Sequence, residues 1–264
     1  MYQNHVSDRQ GRRVVAEAED SLLPSGGGSD RIQVLGHRGA PARGLLENSV
    51  AAVTEALLLG ADGVEIDVWL TADDMLVCAH DLGAADPNSL ATLDEVLAAV
   101  QRHPGSQVVV EAKPVTGAAV ARATANALAD VLGAAADVDI TVSSFDPALL
   151  AMIRRTCADL PVRTALLGDK SDSAPAVVRR AHEDGHDEVH LPLISVRHAP
   201  EAVGTARWLG LSVTLWTINR RPDLRWVAGL GVDAVITDDV LVAWSELDRA
   251  VVAEPEEALP VAAA

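Results

Sequence analysis

Lysine is nearly missing from this chain: its 264 residues include two, Lys113 and Lys170, beside 19 arginines. Against these stand 38 Asp and Glu, for a formal charge of −17. So acidic a chain repels polyanions, which argues against a nucleic-acid-binding role. A small anion is still acceptable wherever a bound cation reverses the local sign. Two cysteines, Cys78 and Cys157, make no disulfide framework. No apolar, uncharged run reaches the roughly 18 residues of a spanning helix, so no transmembrane segment is expected. The N-terminal MYQNHVSDRQGRR has no apolar stretch of a secretory signal, and the expected location is the cytoplasm. There is no Gly-x-Gly-x-x-Gly or Walker motif to support nucleotide binding.

What remains is ample for a core: 49% of the residues are hydrophobic and 22% charged, which excludes wholesale disorder. Residues 1–30, with SGGGSD and no sustained period, read as a flexible N-terminal tail, and residues 250–264 as a shorter C-terminal one. The folded domain is then 31–249.

Within it, short apolar runs alternate with longer helical patterns. The strand candidates are Ile32–Leu35, Gly63–Leu70, Gln107–Ala112, Ile140–Ser143, Val162–Leu167, Glu188–Leu191, Ser212–Thr217 and Ala234–Thr237. Helical patterns such as Asn48–Leu59, Gly117–Leu132, Pro147–Thr156, Ala174–His182, Pro200–Leu209 and Asp223–Leu230 follow most of them. This alternation implies a parallel sheet. Met75–His80 breaks the rhythm, because only four residues separate it from the strand ending at Leu70. A parallel crossover needs about a dozen, so this segment is expected to return antiparallel. Eight parallel strands over about 220 residues predict an α/β fold, a (β/α)8 TIM barrel with an antiparallel return strand after the second barrel strand. An open doubly wound sheet is the other arrangement the pattern allows.

In such a barrel, chemistry sits at the C-terminal strand ends. The first strand leads into Gly36-His37-Arg38-Gly39. The second carries Glu65 and Asp67, two apart and therefore on one face, with Val64, Ile66 and Val68 on the other. The third ends in Glu111-Ala112-Lys113. Carboxylates gathered there resist ionisation unless a cation lies between them. Oxygen donors suit a hard divalent cation, Mg²⁺ or Ca²⁺, whereas zinc favours His or Cys. The return segment ends in His80-Asp81, which brings His80 near the level of the carboxylates and of His37. Two imidazoles beside a metal make an acid–base pair. His103, His182, His186 and His198 read as surface or core histidines, and His190, ending a late strand, is ambiguous.

The ordered set HRG, LENS, GADGVEIDVWLTADDMLVCAHD and VVVEAKP resembles the glycerophosphodiester phosphodiesterase family, and VSSFDP, LWTIN and GVDAVITDD extend the likeness over about residues 35–240. The resemblance implies a metal-dependent barrel that hydrolyses a small-molecule glycerophosphodiester to glycerol 3-phosphate and an alcohol. By it, His37 and His80 are the acid–base pair, and Glu65, Asp67 and Glu111 hold the metal. Arg38 contacts phosphate, where its forked donors match two oxygens. Glu47 lies near the glycerol and the metal. Lys113 contacts phosphate or neutralises Glu111, and Trp216 walls the glycerol carbons or simply packs at the rim. Leu46 stands where the family commonly has proline. Asp81 is followed by a short stretch without the family's usual insertion, and Thr92 with Glu95 reads as a capping box opening the next helix. The little cover this leaves predicts an open pocket. Two other readings share these residues. One is a related barrel acting on lysophospholipids or sphingolipids and stopping at a cyclic phosphate, which calls for a docking surface that no basic amphipathic helix here supplies. The other is a non-catalytic ligand-binding barrel.

Overall fold

The computed structural model describes residues 31–83, 89–135 and 137–252. The expected tail at 1–30, and residues 253–264 of the one expected at 250–264, lie outside the described residues. So does 84–88, the centre of the short stretch after Asp81.

The described chain alternates strands and helices. In order they are β1 (Gln33–His37), α1 (Val50–Leu58), β2 (Gly63–Leu70), β3 (Leu76–Cys78), α2 (Leu93–Val100), β4 (Gln107–Ala112), α3 (Ala118–Ala134), β5 (Asp139–Ser144) and α4 (Pro147–Thr156). They continue with β6 (Val162–Leu167), α5 (Ala174–Glu183), β7 (Glu188–Pro192), α6 (Leu193–His198), α7 (Glu201–Trp208), β8 (Ser212–Trp216), α8 (Arg221–Val227), β9 (Ala234–Thr237) and α9 (Val240–Val252). Helix α9 runs past residue 250, so the expected C-terminal tail begins inside a helix. The short α6 is an element the sequence pattern does not single out.

Eight strands pair in parallel in the order β1, β9, β8, β7, β6, β5, β4, β2, and β1–β2 pairing closes the ring. The result is a (β/α)8 barrel, not an open sheet. Strand β3 lies outside the ring and pairs antiparallel with β2, Val68 opposite Cys78 and Leu70 opposite Leu76. Thr92 caps α2 through the capping box with Glu95. No helix among the described residues is long and apolar enough to cross a membrane.

Residues paired in register on parallel strands share a face, and alternate residues along a strand do too. From His37 opposite Glu65, Asp67 opposite Glu111, Glu111 opposite Ser143, and Leu167 opposite His190, the inward set follows around the ring. Its upper layer is His37, Asp67, Glu65, Glu111, Ser143, Leu167, His190, Trp216 and Ile236. The outward residues Val64, Ile66, Val108, Val110, Val142 and Val189 pack under the helices in the main core. A smaller apolar cluster, Leu35, Val109, Ala234 and Ile236, plugs the barrel interior.

Strands β2 and β4 approach so closely that a Cβ on Gly63 would meet the Gln107 carbonyl oxygen at 2.2 Å. Backbone cannot yield as a side-chain tip can, so Gly63→Ala is expected to cost ~1–3 kcal/mol by overpacking. The denaturant midpoint would fall by that loss divided by the m-value; an unchanged midpoint would mean that the strands separate freely at this point.

Candidate active site

Strand β1 ends in a tight turn. Arg38 takes φ 51° and Gly39 φ 89°, and the Gly39 N–H donates to the Gly36 carbonyl at 3.2 Å. A Cβ on Gly39 would lie 2.5 Å from the backbone of Ala52 in α1, so glycine is required twice over, by φ and by space. The turn folds Arg38 back over the barrel mouth. Its N–H donates to Glu65 Oε2 at 3.2 Å, and its guanidinium donates to Glu47 at 3.1 and 3.0 Å. Arg38 Nε lies 3.1 Å from Asp67 Oδ2, an ion pair without hydrogen-bond alignment.

Glu65, Asp67 and Glu111 come together as their shared face requires: one oxygen from each lies within 4.8 Å of the others. They are not equally compensated. Lys113 Nζ sits 2.5 Å from Asp67 Oδ1 and 2.7 Å from Glu111 Oε1. Asn48, buried and at φ 57°, donates to Asp67 Oδ2 at 2.9 Å and accepts the Asp67 N–H at 2.9 Å. Asparagine tolerates this left-handed backbone better than most residues. Burial opposes ionisation of Asp67, but Lys113, Asn48 and Arg38 outweigh it and hold its carboxyl below the usual range. Glu111, with Lys113 as its cation, is still pushed up by burial. Glu65 has no lysine or arginine side chain on it. Burial, then the charge of Asp67, drive its carboxyl up to about 8. With all three ionised, the carboxylates face two cations and the cluster is one positive charge short. Hard oxygen donors, close together and under-neutralised, fit a divalent cation, and Glu65, Asp67 and Glu111 are the residues that would hold it.

His37 Nδ1 lies 2.6 Å from Asp238 Oδ1, while His37 Nε2 faces Glu65 Oε2 at 3.9 Å. Asp238 is itself fixed: Asn219 Nδ2 donates to its Oδ2 at 2.5 Å, and its N–H donates to Asn219 Oδ1 at 2.8 Å. A carboxylate on Nδ1 selects the tautomer that leaves Nε2 free toward the carboxylates. Burial alone would lower the His37 pKa, but the Asp238 hydrogen bond and the field of Glu65 raise it above the usual value. His80 is half-exposed, with Nδ1 2.9 Å from Asp81 Oδ2, and its carbonyl accepts the Trp69 indole N–H.

One cavity of about 380 Å³ brings most of these groups together: His37, Arg38, Glu65, His80, Glu111 and Lys113 line it, with Trp216 and Phe145 as a wall. The two rings meet edge to face at 5.7 Å. Asp67 and Glu47 are not among the cavity's lining residues; Asp67 lies behind Lys113 and Arg38, and Glu47 holds the Arg38 guanidinium from outside the cavity. Both lysines of the chain, Lys113 and Lys170, line the cavity. Asn48, Asn219 and Asp238 also shape the site, beyond the residues that the sequence points to, and they stand in the LENS, LWTIN and GVDAVITDD segments. For Asn219 and Asp238 the signal in the sequence is a place just past the C-terminal ends of β8 and β9; Asn48 lies just before α1.

The profile of the glycerophosphoryl diester phosphodiesterase family matches residues 37–86 and 82–242. A Mycobacterium tuberculosis protein named "Probable glycerophosphodiester phosphodiesterase 1" is 30% identical over 266 aligned positions, 82% of this chain and 93% of its own. Among solved structures, a glycerophosphodiester phosphodiesterase from Parabacteroides distasonis superposes with a TM-score of 0.75 at 21% identity, over 85% of this chain and 100% of that one. A phosphodiesterase from Oleispira antarctica, solved with the product sn-glycerol-3-phosphate, gives 0.72 at 21% identity, over 83% and 97%. At such identities the two structures speak to the fold.

Proposed function

This chain belongs to the glycerophosphoryl diester phosphodiesterase family and is a hydrolase of phosphoric diesters; from that premise we propose a divalent-metal-dependent glycerophosphodiesterase that uses His37 and His80 as its acid–base pair. The observation that carries this reading is the under-neutralised cluster of Glu65, Asp67 and Glu111, of which Glu65 and Glu111 line one cavity with both imidazoles. A phosphodiester is itself an anion, and only a site with positive charge to spare accepts it. Arg38 and Lys113 are already engaged by carboxylates.

A divalent cation bound there would supply the missing charge, polarise a phosphate oxygen as a Lewis acid and acidify a glycerol hydroxyl. The protein groups do the rest. One imidazole takes the proton from the glycerol 2-hydroxyl as that oxygen attacks phosphorus. The other gives a proton to the departing alcohol oxygen. The product of this step is a cyclic phosphate, which water opens in the reverse sense to glycerol 3-phosphate. Asp238 holds the His37 ring so that Nε2, not Nδ1, meets the reacting atoms. Arg38, clamped by Glu47, sits at the mouth where phosphate oxygens arrive. Trp216 and Phe145 present apolar surface to the glycerol carbons.

The test is release of glycerol 3-phosphate from glycerophosphocholine and glycerophosphoethanolamine. The expected result is turnover with Mg²⁺ or Ca²⁺ and none with EDTA. Undiminished turnover in EDTA would overturn the metal assignment, and a folded protein inert with both metals would overturn the substrate assignment.

A further inference from the structure

A second groove, of about 720 Å³, opens beside the cavity at the same end of the barrel and shares Lys170, Trp216 and Thr217 with it. Neither the carboxylate cluster nor the imidazole pair lines this groove. Trp216 ends β8, and Lys170 lies in the loop after β6. Pro192 and Ile194, where β7 runs into α6, give it an apolar wall, and Arg197, Arg220 and Asp223 come from α6, from the residue before α8 and from α8.

The charge of the groove is opposite in sign to that of the chain. Three cations, Lys170, Arg197 and Arg220, face one carboxylate, Asp223, in a protein of formal charge −17. Arg197 is already engaged: its guanidinium pairs with Asp223 and lies 4.8 Å from the centre of the Trp226 ring. Lys170 and Arg220 are exposed, and among the described residues neither side chain makes an ion pair or a hydrogen bond. Asp169, within reach of the Lys170 charge, lines the first cavity and not the groove, and its carboxylate accepts the Ser171 N–H and hydroxyl, each at 2.9 Å. Two positive charges are thus left over in the groove. They attract an anion and repel a cationic headgroup.

Position ties the groove to the alcohol half of the substrate. The attacking and leaving oxygens stand on opposite sides of phosphorus. With the glycerol hydroxyl at the carboxylates of β2 and β4, the alcohol points across the mouth to β7 and β8, which lie opposite them in the closed ring. Its carbon skeleton passes Trp216 and the Pro192–Ile194 wall before it reaches Arg220.

We propose that Lys170 and Arg220 bind a second phosphate at the far end of the alcohol half, so that the enzyme prefers diesters whose leaving alcohol is itself phosphorylated. The proposal rests on the reading of the neighbouring cavity as a glycerophosphodiester site. A phosphate monoester carries about −1.5 to −2 charges at neutral pH, which two cations match, whereas a carboxylate brings one. Arg220 offers forked donors to its oxygens and Lys170 a point charge.

The experiment compares sn-glycero-3-phosphoglycerol with the same diester phosphorylated at the terminal hydroxyl of its leaving glycerol, in turnover with Mg²⁺ and by calorimetry in EDTA. The wild type is expected to favour the phosphorylated diester by roughly tenfold or more in kcat/KM and in affinity, as two charge-assisted contacts imply. Added salt shrinks that ratio. Arg220→Gln and Lys170→Gln each lower it severalfold, and the double variant brings it close to one. Arg102→Gln removes the same charge from an exposed site at the other end of the barrel and leaves the ratio where it was. A wild-type ratio of one, a ratio undiminished in both groove variants, or an equal fall in Arg102→Gln would overturn the subsite. Turnover of both diesters at one rate would do so while the reaction stands. No turnover of either, with a binding ratio that still depends on Arg220, would sink the reaction and leave the subsite. Absence of both turnover and binding would overturn the two together.

Discussion

Glu65→Gln protein, stripped of metal, is expected to melt above the wild type at pH 9, and to lose that advantage at pH 5. Burial and then Asp67 push the Glu65 carboxyl up to about 8, against an ordinary value of 4.5. A group whose folded pKa is raised favours the fold when protonated. Its contribution is complete below about pH 4.5 and is lost as pH climbs through about 8, because the folded chain must then carry a buried carboxylate with no lysine or arginine side chain on it. Glutamine has the same shape. Its amide oxygen still accepts the Arg38 N–H, its NH₂ donates to the neighbouring carboxylates, and it never ionises. The expected gain above pH 8 is on the order of a few kcal/mol, or roughly 2–4 °C of Tm for each kcal/mol in a chain of this size. Saturating Mg²⁺ or Ca²⁺ reverses the order. A ligand at 100 times its Kd stabilises the wild type by about 2.7 kcal/mol, and a variant short of one carboxylate gains much less. Thermal melts across pH, with EDTA and with metal, check both halves. A wild type more stable than the variant in EDTA at pH 9 would show that Glu65 has a cation partner within the protein.

The second large effect concerns the imidazoles. His37→Ala and His80→Ala should each lower kcat/KM by ~10²–10⁴-fold, the usual yield of a positioned acid or base. Neither ring belongs to the apolar core, so the melting temperature is expected to move little. Asp238→Asn separates positioning from catalysis. With an amide in place of the carboxylate, Nδ1 loses its anionic acceptor, and the ring loses one cause of its raised pKa. The loss should be smaller, on the order of 10–100-fold, and should fall on kcat rather than KM. The pKa of His37, followed by NMR, should move down. A His37→Ala protein with full activity would remove this histidine from the mechanism, and an Asp238→Asn protein with an unmoved His37 pKa would remove Asp238 from its support.

Much of this architecture is written locally. Alternation with period 2 puts Glu65 and Asp67 on one face with no knowledge of the ring, and Glu111 follows by the same rule. The four residues between Leu70 and Met75 are too few for a crossover, so a reversal there is forced by chain length. Thr92 and Glu95 announce the start of α2 because a capping box needs nothing beyond its own turn. Strand edges shift by a residue or two, as at β1, observed at Gln33–His37 and expected at Ile32–Leu35, because its last pairings depend on neighbours far away in sequence.

Other features depend on closure of the ring. Asp238 stands 201 residues from His37 and reaches it only because β9 pairs with β1. Arg163, Glu188 and His190 belong to two strands whose register sets which face meets which. Glu47 has the right neighbours in sequence, yet it clamps Arg38 from outside the cavity, where the left-handed turn at Arg38 folds the guanidinium back over the mouth. Sequence alone therefore determined the strand-and-helix alternation, the shared face of the carboxylates and the placement of chemistry at strand ends, since each depends on spacing along one chain segment. Only the tertiary structure decided which of those groups are neutralised, which histidine is held by which carboxylate, and that Lys170, Arg197 and Arg220 line one groove. Those outcomes depend on ångström distances across strands, and such distances are set by barrel register and closure, which no local period encodes.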